Sequence, residues 1–199
     1  MMIGISGRAR RGVFGVVAVL TLTLSAAGAY AQTAPKWIVD QAHSKLGFET
    51  QAMGAPVQGG FERWDADIHF DPKQLAGSKV VVMIQTGSAV TGDAEHDQTA
   101  LGSDWLATAM FPTATFQAQS FKDLGGGRYE ADGDLTIRGV SKPQVLPFTL
   151  AITGDSAQMT GETTVDRSLF GVGQGSYGGA DTVPLAVTIK IDLTAKLAK

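Results

Sequence analysis

The chain has 199 residues, of which 44% are hydrophobic and 18% charged, and it contains no cysteine. This apolar content is enough to offset the entropy cost of folding, which argues against a disordered chain. The lack of cysteine excludes a disulfide framework, a thiolate metal site and a cysteine nucleophile. The formal net charge of −3 argues against a nucleic-acid-binding protein held by phosphate contacts. The 25 glycines are nearly twice the usual share and favour an all-β protein with many tight turns.

Residues 1–31 have the layout of a cleaved secretory signal peptide. Three arginines precede the uncharged apolar run Val13–Leu24, and the small-residue pattern Ala29-Tyr30-Ala31 follows it. A membrane anchor is the less favoured interpretation, because a helix needs about 20 apolar residues to span a bilayer core. Cleavage after Ala31 leaves residues 32–199, which we expect to form one domain in the periplasm.

Apolar and polar residues alternate along most of the mature chain, which predicts β-strands. In the clearest run, Leu185–Leu193, aliphatic residues occupy every second position. Similar runs lie at residues 46–48, 64–70, 80–84, 114–118, 129–137 and 148–152. Glycine-rich turns separate several of them, and about eight short strands of this kind favour a barrel or a sandwich. Phe61 and Trp64 have opposite parity, which a bulge or twist between them would resolve.

One segment departs from the alternation. Asp93–Met110 contains good helix formers, and we expect one or two short helices in it. Gly102 and Ser103 divide the segment, so that Ser103 or Asp104 is a candidate N-cap for a second helix.

The chain shows no familiar catalytic or metal-binding motif. The histidines, His43, His69 and His96, have no partner at the short spacing typical of zinc ligands, so we predict neither a metal site nor a catalytic residue. Gly173–Gly178 matches G-x-G-x-x-G, but no helix is expected to follow it to receive a pyrophosphate. Asp166 and Arg167 are adjacent and could form either a structural ion pair or a polar clamp on a ligand.

A collinear set of short motifs runs through residues 36–195. They are Trp37-Ile38-Val39-Asp40 with His43-Ser44, Ile68-His69-Phe70-Asp71, Ser103–Leu106 followed by Phe111–Phe116, Gly133–Pro143 (GDLTIRGVSKP), and Asp166–Gly171. Together they resemble the YceI-like family of bacterial periplasmic, polyisoprenoid-binding, lipocalin-like proteins. The resemblance implies an extended eight-stranded antiparallel barrel with a hydrophobic pore. It also implies that the pore holds a long isoprenoid, either a quinone or a polyprenyl lipid, with no other cofactor required.

The inward-facing apolar positions of the predicted strands are the candidate pore lining. They are Leu46, Phe48, Trp64, Ile68, Phe70, Val82, Ile84, Phe116, Leu135, Ile137, Phe148, Leu150, Phe170, Val187 and Ile189. An ordinary packed core explains the same alternation, but small inward residues such as Ala66 and Ala131 fill an interior poorly. An interior of this kind can hold one slender ligand.

Two alternatives to a carrier stay open. An enzyme could use the barrel as a pocket, with Asp40, His43, His96 and Arg167 converging near its mouth. A stress-induced lipid sink without a specific partner would carry the same sequence features. Ala94-Glu95-His96-Asp97 resembles the branch associated with cytochrome b561-type membrane proteins, which implies such a partner. The oligomeric state is left open, with a dimer among the options.

Overall fold

The computed structural model describes Met1 and residues 34–199, so the predicted signal segment lies outside the described residues apart from Met1. Eleven strands are present in the described part: β1 Lys36–Val39, β2 Lys45–Ala52, β3 Ala55–Phe61, β4 Trp64–His69, β5 Lys79–Gln85, β6 Ala89–Val90, β7 Thr113–Gly125, β8 Arg128–Ile137, β9 Val140–Thr153, β10 Ser156–Asp166 and β11 Ala186–Leu197. The α-helix α1 spans Ala94–Leu101, and short 3-10 turns occur at Gln41–His43, Leu75–Gly77, Thr86–Ser88, Arg167–Phe170 and Gly175–Tyr177.

Eight of the strands close into an antiparallel barrel. Their order is β1-β4-β5-β7-β8-β9-β10-β11, and β11 pairs back with β1. The last strand serves two neighbours, because Ala195–Leu197 pairs with β1 whereas Thr188–Asp192 pairs with β2. Beyond β2, the sheet continues through β3 to the short β6. The predicted eight-stranded barrel of the lipocalin type is thus confirmed.

Two irregularities change which residues face inward. The strand run breaks at Glu62-Arg63, which separates β3 from β4 and accounts for the opposite parity of Phe61 and Trp64. In β7 the pairing register with β8 shifts between Ala118 and Ser120. A bulge of this kind moves the following side chains to the other face of the strand.

The prediction of one or two short helices is confirmed, with one helix formed. Helix α1 forms, and the Asp93 carboxylate caps it by accepting hydrogen bonds from the backbone N–H groups of Glu95 and His96, each at 3.0 Å. No second helix begins at the candidate N-caps Ser103 and Asp104, because residues 102–110 form successive turns. The carbonyl oxygens of Ser103 and Trp105 in this segment instead accept hydrogen bonds from the Arg138 side chain.

Within the described residues, no helix is both long enough and apolar enough to cross a bilayer.

Candidate ligand cavity

The barrel encloses a cavity of about 170 Å³ whose accessible surface is apolar throughout. Several side chains that face it, among them Ala66, Val82, Phe116 and Ile189, retain accessible surface although they point into the barrel. A tightly packed interior would leave such side chains little surface, since native cores are filled to crystal-like density. The interior is therefore partly hollow.

The cavity is long and narrow. Every strand of the closed barrel contributes to its lining, and along β10 the lining runs from Ala157 to Val165. At about 3.3 Å per residue, this stretch of strand is roughly 26 Å long. A small volume spread over such a length suits a chain-like molecule better than a bulky one.

Most of the predicted pore residues lie on this lining. They are Leu46, Trp64, Ile68, Phe70, Val82, Ile84, Phe116, Leu135, Phe148, Leu150 and Ile189. Whether they bind a ligand stays a prediction.

Four of the predicted pore residues lie outside the lining. Phe48 packs against Phe61 with ring centroids 5.7 Å apart, on the sheet extension formed by β2 and β3. Ile137 is the last residue of β8 and Val187 is near the start of β11, so both lie at a barrel end. Phe170 is on a 3-10 turn and is 2% exposed within a cluster that closes that end. Alternation identifies inward faces but not where the cavity stops.

The remaining lining residues were not among the predicted pore residues. They are Trp37, Ala66, Val80, Phe121, Ala131, Gln144, Leu146, Ile152, Ala157, Met159, Thr163, Val165, Ile191, Leu193 and Ala195. The period-two signal could have identified several, because Leu146 and Ile191 continue the patterns of Phe148 and Ile189. Alternation does not predict Phe121, because the bulge in β7 precedes it, and it does not predict Gln144, because that residue is polar.

Aromatic side chains close one end of the cavity, which we call the aromatic end. The Phe70 ring makes edge-to-face contacts with Phe121, Tyr129 and Phe148 at centroid distances of 5.3 to 5.9 Å. Trp37 adds a hydrogen bond from its Nε1 to the Phe70 carbonyl at 3.0 Å. Burial raises the pKa of Tyr129 above its ordinary value. Edge-to-face pairs of this kind hold rings in fixed orientations, so the end is firmly packed.

The opposite end, which we call the arginine end, is organised by Arg167. This side chain is 3% exposed. Its guanidinium donates to six backbone carbonyls at 2.8 to 3.3 Å, those of Val172, Gly173, Tyr177, Gly179, Val183 and Pro184. The guanidinium also lies 5.2 Å from the centre of the Trp105 ring. Burial lowers the pKa of Arg167 from its ordinary value. The loop that follows the 3-10 turn is thus wrapped around one cation.

The Asp166–Arg167 ion pair, one of the two possibilities that the sequence left open, is not formed. The Asp166 carboxylate accepts from the backbone N–H and the hydroxyl of Ser168, at 2.9 and 2.6 Å, and so caps the 3-10 turn. Neighbouring residues at a strand end point to opposite faces, which separates the two side chains. Arg167 is therefore not paired with Asp166, and it does not join the cavity lining.

Arg138 fastens the turns after α1 to the arginine end. It occupies the tight turn between β8 and β9 with a positive φ of 51°, followed by Gly139 at 74°. Its Nη1 donates to the carbonyls of Ser103 and Trp105, and its guanidinium lies over the Phe111 ring at 5.7 Å. These contacts explain a left-handed conformation that residues other than glycine rarely adopt.

The polar residues considered for an enzyme do not converge. His43 Nδ1 lies 2.9 Å from Asp40 Oδ2 on the exposed turn after β1, and the hydrogen bond from His43 lowers the pKa of Asp40. His96 is on α1 with its Nδ1 4.0 Å from Asp93 Oδ1. Neither histidine lines the cavity. Among residues 34–199, no group of three or more His, Asp or Glu side chains could hold a metal ion.

Comparison with known sequences gives a consistent result. The family model described as YceI-like domain matches residues 37–195. A UPF0312 protein of Vibrio cholerae is 30% identical over 160 residues, which cover 74% of this chain and 85% of that protein. A UPF0312 protein of Pseudomonas syringae pv. tomato is 29% identical over 188 residues, covering 89% and 94%.

Solved structures have the same fold. The crystal structure of BcnA from Burkholderia cenocepacia matches with a TM-score of 0.77 and 32% identity, covering 79% of this chain and 99% of BcnA. A polyisoprenoid binding domain from Saccharophagus degradans, implicated in plant cell wall breakdown, matches with a TM-score of 0.66 at 14% identity. That match covers 82% of this chain and 99% of the domain.

Proposed function

The chain belongs to the YceI-like family, and we propose that it is a periplasmic carrier that holds the apolar chain of one isoprenoid lipid in its barrel cavity. The observation that carries the proposal is the long, narrow cavity, lined by hydrophobic side chains apart from Gln144 and Thr163 and closed by side chains at both ends. The polyisoprenoid binding domain with the same fold supports this choice of ligand.

The energetics suit a carrier that exchanges lipid with a membrane. Burying a tail of about 40 carbons from water would release roughly 30 kcal/mol at about 0.8 kcal/mol per CH₂. That exceeds the practical ceiling for non-covalent affinity of about 18–21 kcal/mol. The tail starts in a bilayer, however, where it is already surrounded by hydrocarbon. The net free energy of transfer into the cavity is therefore small, which permits release as well as uptake.

A quinone head group, a periplasmic location and a cytochrome b561-type partner are further parts of the proposal. The signal-like segment at residues 1–31 supports the location, and the resemblance of Ala94–Asp97 supports the partner. A binding role is favoured over catalysis because Asp40, His43 and His96 lie outside the cavity lining. A lipid sink would use the same cavity, and the identity of the bound lipid in producing cells distinguishes the two roles.

Filling the cavity tests the proposal directly. Ala66 on β4 faces the cavity and retains surface there, so Ala66→Trp should occupy the space that a lipid chain needs. We expect the transfer of solanesol, a long polyprenol, from phosphatidylcholine vesicles to the protein to fall at least tenfold.

Ala151→Trp is the matched control, because Ala151 is exposed on the outside of β9. Its uptake of solanesol should equal that of the unchanged protein. Equal uptake by a folded Ala66→Trp variant would overturn the cavity as the binding site.

A further inference from the structure

The backbone ladder between β9 and β10 stops halfway along the barrel. The paired residues run from Thr153–Ser156 to Phe148–Gly161. The remaining residues of β9 and β10 form no backbone pairs with each other. We call the unpaired stretches, Val140–Pro147 and Glu162–Asp166, the seam. Along the seam β9 stays paired with β8, and β10 stays paired with β11. The opening is therefore confined to one line in the wall.

Two prolines account for the missing ladder. The N–H of Leu150 donates to the carbonyl oxygen of Gly127, the residue before β8, at 2.8 Å, so even-numbered residues of β9 bond towards β8. Odd-numbered residues then point their backbone groups at β10, and among these Pro143 and Pro147 have no N–H to donate. The ladder ends at the pair next to Pro147. Proline is tolerated in sheets where such a bond is not needed.

Side chains bridge the seam where the backbone does not. Gln144 Nε2 donates to the Thr163 hydroxyl at 2.7 Å and approaches the Thr164 carbonyl at 3.4 Å. The Thr163 hydroxyl donates to the Val145 carbonyl at 2.9 Å. Gln144 and Thr163 are also the polar residues of a lining that is otherwise hydrophobic. A bridge made of side chains can open by rotation of those side chains, without unpairing a strand.

The seam is a better route into the cavity than either end. At the aromatic end Trp37, Phe70 and Tyr129 are all buried, and at the arginine end Phe170 is buried below the Arg167 loop. On the outer face of the seam, Val145 is 42% exposed and gives an approaching chain an apolar contact.

We propose that the seam is the entrance of the cavity, and that the Gln144 amide and the Thr163 hydroxyl hold the polar head of the ligand there. The head would be a neutral group with a hydrogen-bonding oxygen, an alcohol or a carbonyl, since the amide both donates and accepts. The chain lies in the cavity and its head stays at the wall, where water reaches it. This proposal rests on the proposed function, because it assigns the entrance of the same cavity.

The first test removes the amide and keeps the size of the side chain. For Gln144→Leu we expect the affinity for geranylgeraniol to fall about tenfold, the worth of one hydrogen bond. The affinity for the hydrocarbon in which hydrogen replaces the hydroxyl should not fall. Gln158→Leu, at an exposed position of the neighbouring strand β10, is the control and should change neither affinity. An equal effect of Gln144→Leu on alcohol and hydrocarbon would overturn the head-group assignment.

The second test locks the seam with a disulfide in a chain that has no other cysteine. Leu146→Cys with Thr163→Cys would join β9 to β10 two residues beyond the last ladder pair, at positions that would face each other if the ladder continued. Thr164→Cys with Thr188→Cys, at paired positions of β10 and β11, is the control. We expect oxidation to slow the uptake of N-phenyl-1-naphthylamine, a small apolar fluorescent probe, at least tenfold in the seam variant and not in the control. Reduction should restore the rate.

Unchanged uptake by the fully oxidised seam variant would overturn the seam as the entrance. The probe makes this result independent of the proposed function. A protein that admits the probe but refuses solanesol would contradict isoprenoid binding, while the comparison of oxidised and reduced forms would still locate the entrance.

Discussion

At the scale of single residues, Arg167 shows how one buried cation can organise a barrel end. Removing a guanidinium from water is costly unless its N–H groups are all satisfied. Here backbone carbonyls of the glycine-rich loop satisfy it, and the neighbouring Asp166 is engaged elsewhere. Arginine can bind this many carbonyls because its planar guanidinium holds five N–H donors in a rigid fork, which lysine lacks.

Arg167→Lys should therefore be strongly destabilising. A lysine ammonium has three donors and cannot reach all of the carbonyls that the guanidinium serves, so buried acceptors lose their partners. We expect the free energy of unfolding, measured by urea denaturation, to fall by about 3 kcal/mol or more. Arg128→Lys, at an exposed position, is the control. A similar stability for the two variants would contradict the role assigned to Arg167.

At the scale of elements, helix α1 depends on its N-terminal cap. The backbone N–H groups of His96 and Glu95 donate to the Asp93 carboxylate and lower its pKa below the ordinary value. The ionised form is thus the one that stabilises the helix. Its contribution is present above the ordinary pKa and is lost as the pH falls through the lowered one.

The pH dependence of this cap can be measured with a single substitution. Asn at position 93 caps a helix about as well as Asp but does not titrate. We expect amide hydrogen exchange in α1 to accelerate below about pH 4 in the unchanged protein, relative to intrinsic rates. The Asp93→Asn variant should show a weaker acceleration. The same acceleration in both proteins would rule out the Asp93 carboxylate as its origin.

The strands show how far sequence reasoning reaches. Period-two alternation predicts the barrel strands, and most of the residues that it assigns to the pore lie on the lining, because burying one face of a strand requires that pattern. It misses Phe121, because the bulge before it depends on pairing with β8. It also places Phe170 in the pore, although that residue packs in a turn at the arginine end. Alternation is local, whereas the ends of a cavity are set by loops that meet only in the folded chain.

The seam is a second feature that the sequence alone does not predict. Pro143 and Pro147 are visible in the sequence as breaks in a strand, but which neighbour loses its hydrogen bonds depends on strand order. Gln144 interrupts the apolar face of β9, and its polarity predicts a side chain that points outward. Only the closed barrel places it between the cavity and the missing ladder.

At the scale of the whole molecule, the barrel is stabilised without a solid centre. Its two ends are packed clusters, one aromatic and one built around Phe170, and the hollow between them is bounded by apolar side chains. An empty apolar cavity forfeits dispersion contacts that a guest would supply. A bound chain should therefore stabilise the folded protein, by an amount that grows with the logarithm of its free concentration once that exceeds the dissociation constant.

The most direct test is native mass spectrometry of the protein purified from its producing cells, followed by organic extraction of whatever it carries. We predict one isoprenoid lipid per chain, with a head group that shows whether a quinone is involved. A protein that is empty, and that also refuses added ubiquinone and polyprenol, would contradict the carrier function.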